Sequence, residues 1–147
     1  MKSKPDAELT TLIKKAAEFH GHLGPFLVIG VRMGNMAKRT LKPNAEENKR
    51  LQVAVKIPLL TPLSCILDGI QTTTQCTVGN QKLKTENSQK EITAHFKLQN
   101  SNEAIKVSVN PKIIEELRKE MSEGVTNEEL ARKIAGMPEN QLFKIEK

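Results

Sequence analysis

At 147 residues and 37% hydrophobic content, the chain has the size and composition of one soluble domain rather than of a disordered segment. No apolar run approaches the roughly 20 residues that span a membrane, and the start Met1-Lys2-Ser3-Lys4-Pro5-Asp6 lacks an apolar signal core, so a cytoplasmic protein is expected. The net charge of +6 is uneven: residues 1–110 hold 16 Lys/Arg against 9 Asp/Glu, and residues 111–147 hold 7 against 8. These basic residues come singly or in pairs, and four Phe with no Tyr or Trp give few surfaces for bases to stack on, which disfavours nucleic acid as a partner.

Ser3, Pro5 and Asp6 suit a helix start, and Leu9, Leu12, Ile13, Ala16 and Phe19 recur at helical spacing, so residues 5–19 are read as an amphipathic helix. Gly21 ends it, and Pro25 opens a second helix over 25–41, apolar early and basic late, with Gly30 and Gly34 one turn apart for close packing. After a polar loop over 42–50, Leu51, Val53, Val55 and Ile57 alternate as a half-buried strand. A helical pattern follows over 62–75, then a turn at Thr77-Val78-Gly79-Asn80. Residues 81–86, 91–98 and 103–109 read as successive strands, with His95 out of phase with Phe96 and therefore facing outward, or toward a partner subunit, rather than toward a metal. Asn110-Pro111 and Thr126-Asn127-Glu128-Glu129 look like starts of two further helices, and 141–145 could form a short last strand. The fold class is α+β: a single domain with two N-terminal helices and a cysteine-bearing helix packed on a largely antiparallel sheet, and with C-terminal helices.

Two constellations carry chemistry. His20-Gly21-His22 places two imidazoles at a helix exit, where they can ligate one ion or serve as surface or capping groups. Cys65 falls in the first turn of the third long helix, with Asp68 on the same face. A thiol there should have a lowered pKa, suiting it to bind metal, although an isolated Cys also serves as an inert core residue. Cys76 is a weaker candidate ligand. Eleven residues of helix span roughly 16 Å, whereas two sulfurs on one zinc lie within about 4.6 Å, so a shared ion, like a disulfide, requires the chain to fold back.

The run Phe19-His20-Gly21-His22-Leu23-Gly24-Pro25-Phe26, continuing to Gly30-Val31-Arg32-Met33-Gly34, resembles the opening signature of the FmdE family of formylmethanofuran dehydrogenase proteins. Cys65-Ile66-Leu67-Asp68-Gly69-Ile70-Gln71, with Cys76-Thr77-Val78-Gly79-Asn80, is similar to its second signature; together they cover residues 17–83. The resemblance implies a dimerising α+β domain whose histidine motif and cysteine helix face one groove, with His20, His22 and Cys65 as ligands of a divalent transition metal, zinc before others. Gly24 stands where many relatives have Cys, which removes one sulfur, and residues 84–147 contain no cysteine for the zinc ribbon of some relatives. Two functions follow. One is a mononuclear centre acting on a small molecule of one-carbon or redox metabolism, with Asp68 orienting a ligand or serving as acid/base. The other is a non-catalytic accessory protein of a larger oxidoreductase holding a structural metal.

Overall fold

The computed structural model describes residues 7–147; the expected cap at Ser3, Pro5 and Asp6 lies outside them. Helix α1 (Ala7–His20) and helix α2 (Pro25–Leu41) are joined by Gly21, whose φ of +102° allows the sharp exit. A short helix α3 (Ala45–Asn48), closed by an Asn44/Glu47 capping box, occupies part of the expected loop. Strand β1 (Leu51–Ile57) leads to helix α4 (Cys65–Thr74), then to strands β2 (Leu83–Asn87), β3 (Thr93–Leu98) and β4 (Ala104–Val109). Helix α5 (Pro111–Ser122), helix α6 (Asn127–Ala135), the short α7 (Glu139–Leu142) and strand β5 (Phe143–Glu146) complete the fold. Both expected caps are present: Asn110 accepts from the Lys112 amide and Thr126 from the Glu129 amide. Among the described residues no helix is long and apolar enough to cross a membrane.

The strands make one sheet in the order β2-β1-β3-β4-β5, antiparallel throughout except that β2 runs parallel to β1. This corrects the expected run of neighbouring strands. The segment after α4 crosses over and pairs with β1, so β1–α4–β2 is a βαβ unit at one edge, and β3 pairs with β1 instead of β2. The inward side chains, among them Val53, Val55, Phe96 and Val107, form one core with Ile29, Met33 and Met36 of α2. The opposite face of the sheet is left open to solvent.

Glycine sets how closely α2 and α4 approach. A β-carbon on Gly30 would lie 2.0 Å from the Ile66 carbonyl oxygen, and one on Gly69 would lie 2.3 Å from that of Leu27. The close approach read from the Gly30/Gly34 spacing is therefore a backbone-to-backbone contact at Gly30, whereas Gly34 makes room for the side chains of Thr73 and Thr74. It brings the start of α4 beside the start of α2, where the two signatures meet. Arg32, in the first signature, reaches the other way: its guanidinium donates to the carbonyls of Ile134 and Met137, ending α6 against α2.

Candidate metal centre

The loop between α1 and α2 and the start of α4 enclose a cleft of about 80 Å³ lined by His20, His22, Gly24, Pro62 and Cys65. Three of the four ligand candidates therefore share one cleft. Met121 from α5 and Asn127 from α6 close its other side. These two had no signal in the sequence beyond helix composition, because only tertiary packing brings the C-terminal helices there.

His20 is the best-defined member. Its Nδ1 lies 2.6 Å from Asp68 Oδ2, and because a carboxylate can only accept, Nδ1 carries the proton and donates it. The other nitrogen, Nε2, is buried without a hydrogen-bond partner. The His22 ring is close, with its centroid 4.5 Å from that of His20. Asp68 is fixed from its second oxygen, which accepts from Gln71 Nε2 at 3.2 Å; Gln71 Oε1 in turn accepts from the Val78 amide at 3.1 Å. Asp68 is thus held between His20 and Gln71. Gln71 lies inside the second signature, but its part in this chain of bonds shows only in three dimensions.

Cys65 is the first residue of α4 and is half-buried. The expected lowering of its pKa does not hold. Burial pushes the thiol up, the negative charge of Asp68 pushes it further, and a backbone hydrogen bond opposes them. Cys76 is not brought to the cleft. Its fully buried thiol sits in the main core and donates to the Leu51 carbonyl at 3.1 Å, and burial raises its pKa. Titration with a thiol reagent should therefore count one thiol, Cys65, in the native protein and two after unfolding; two fast thiols in the native state would contradict this placement. His95 faces outward on β3, as expected, away from the centre.

As the side chains stand, no three His, Cys, Asp or Glu groups among the described residues are clustered to hold a metal ion. The donors nevertheless suit one. An imidazole held by a carboxylate at Nδ1, with Nε2 unsatisfied, is the ordinary condition of a metal-ligating histidine, and a second imidazole and a thiol border the same space.

A match to the family described as "FmdE, Molybdenum formylmethanofuran dehydrogenase operon" covers residues 19–144. A protein of Archaeoglobus fulgidus, named a probable S-adenosyl-L-methionine-binding protein, is 39% identical over 82 residues, which is 55% of this chain and 22% of that protein. The chain thus spans less than a quarter of the curated relative it matches. With both signatures folded around one cleft and the match running through the sheet and C-terminal helices, this chain belongs to the FmdE family.

Proposed function

We propose that this FmdE domain binds one divalent transition metal, zinc before others, through His20, His22 and Cys65, and presents it to a small molecule of one-carbon or redox metabolism. The single observation that carries the reading is the His20 ring, oriented by Asp68 and left with a buried, unpartnered Nε2 facing no protein acceptor or donor. Bound there, the ion would supply Lewis-acid polarisation of a carbonyl or similar group. The protein's own part is separate. Asp68 accepts the Nδ1 proton's hydrogen bond and fixes the tautomer, Gln71 holds Asp68, and Pro62 and Met121 supply apolar walls to the cleft. Asn127 offers an amide at the rim for a polar ligand.

The reading extends to a cytoplasmic homodimer associated with a larger oxidoreductase, in line with the operon for which the family is named. Phe19, next to the cleft residue His20, and Leu60, two residues before Pro62, are 63% and 71% exposed and supply apolar surface for a second copy. The second reading, a non-catalytic accessory protein with a structural metal, rests on the same operon association. An open coordination position favours the first reading and a closed all-protein shell the second. The relative's S-adenosyl-L-methionine is not carried over, since the shared segment is 22% of that protein.

Elemental analysis tests the reading. The native protein should carry about one metal per chain, and His20→Ala, His22→Ala and Cys65→Ser should each lower that occupancy by about tenfold at limiting metal. Unchanged stoichiometry in all three would end the proposal. Light scattering on the same preparation should give twice the chain mass of 16.4 kDa.

A further inference from the structure

The register of the sheet fixes what its open face presents. One row across the strands reads Lys84, Ala54, His95, Lys106 and Glu146, and the next toward the start of β1 holds Gln52, Lys97 and Ala104. At the far end Lys56 pairs with Glu86 at 3.6 Å, and the buried Thr93 donates to Glu91 Oε1 at 3.0 Å. Two acids thus stand at that end, and a third, Glu146, stands beside Lys106 at the β5 edge. Lys84, Lys97 and Lys106 make no ion pair among the described residues, and between them the floor is Ala54 and Ala104.

Sheets in α+β proteins ordinarily have helices on the faces they bury, and here α2 covers only the inner face. At about 4.8 Å per strand, Lys84 and Lys106 stand about 14 Å apart in one row, with alanine and histidine between. That is a face about 20 Å across the strands, with one lysine on each of β2, β3 and β4 and small side chains at Ala54 and Ala104. A helix laid across the strands would span it with roughly 13 residues. A second copy of this chain would meet lysine with lysine. Nucleic acid would find a single imidazole, His95, and no larger aromatic ring, since Phe26, Phe96 and Phe143 are buried and Phe19 is on α1.

We propose that this open, lysine-lined face docks an acidic helix of a partner protein. It is separate from the cleft at His20 and Cys65, so it stands or falls independently of the metal reading. An interface of this extent belongs to the small, transient class, in which charge sets recognition and association rate.

The test titrates isotopically labelled protein with a synthetic helical peptide of alanine bearing glutamate at every fourth position, at physiological salt. Amide shifts should change at Ala54, His95, Lys97 and Ala104 and not in α1 or α4. The triple variant Lys84→Glu, Lys97→Glu, Lys106→Glu should weaken binding by about tenfold or more with metal content unchanged. The milder Lys84→Gln, Lys97→Gln pair should weaken it by about threefold, and serves if the triple variant does not fold. Shifts on the helical side, or equal binding by the variants, would overturn the proposal. So would tighter binding of an oligouridylate of equal charge at the same amides, which would assign the face to nucleic acid instead.

Discussion

Gly30→Ala is expected to cost the fold about 3 kcal/mol or more, the upper range for overpacking a close-packed interior. The added β-carbon would sit 2.0 Å from the Ile66 carbonyl oxygen and 2.9 Å from its carbonyl carbon, and neither can rotate away because both are backbone of α4. Relief requires α4 to move from α2 by an ångström or more, and α4 carries Ile66 and Ile70, both fully buried. The same displacement pulls Asp68 from His20, so on the proposed metal reading a refolded variant should also lose metal occupancy without any ligand having been changed. Denaturant titration of Gly30→Ala beside Gly79→Ala measures it. A β-carbon on Gly79 meets only the Thr77 hydroxyl at 3.8 Å, so that control should stay within about 0.5 kcal/mol of the native chain. Equal midpoints for the two variants would show that the helix contact is looser than described.

Gly24→Cys is expected to tighten metal binding by about tenfold or more, the scale of a change in the ligand shell. Gly24 has φ −155° and ψ 170°, extended backbone that any residue adopts, and a β-carbon there would make ordinary contacts of 3.8 Å with His22 Nε2 and the Asn127 side chain. The new sulfur would thus enter the cleft next to an imidazole nitrogen at no packing cost. A thiolate added to a His/His/Cys set also shifts preference toward softer ions. Competition with a chromophoric chelator reads the affinity, and in the cobalt-loaded protein the thiolate-to-metal absorption should grow. An unchanged affinity would place position 24 outside the coordination sphere and weaken the case for His22 as a ligand.

The elements legible in the sequence are those whose burial alternates on its own terms. Leu51–Ile57 alternates without a break, and its observed bounds match the expected ones, as do those of Pro25–Leu41. The α2 end is fixed by Lys42 at φ +48°, whose amide bonds back to Lys38. Strand β2 has only Leu83 buried, so its pattern gave no clue to its partner. Its place beside β1 is decided by the α4 crossover, which alternation does not encode. The site divided along the same line. Residue types marked His20, His22, Cys65 and Asp68 as candidates, whereas Gln71 and Asn127 matter through contacts made by folding. The burial that raises the Cys65 pKa and hides Cys76 is likewise a property of packing, and position in a helix pointed the other way for Cys65.

Gln71 joins two places that differ in how freely they can vary. At one end is Asp68, committed to His20; at the other is the Val78 amide, in a solvent-facing turn where Val78 is 70% exposed. A tilt of that turn is transmitted through one side-chain amide to the carboxylate, and from there to the angle of the imidazole. On the proposed metal reading, evolution can therefore adjust the grip on the ion by editing a turn on the outside, with every donor atom kept, and relatives with identical histidines and cysteine are expected to differ in affinity according to the turn at 77–80.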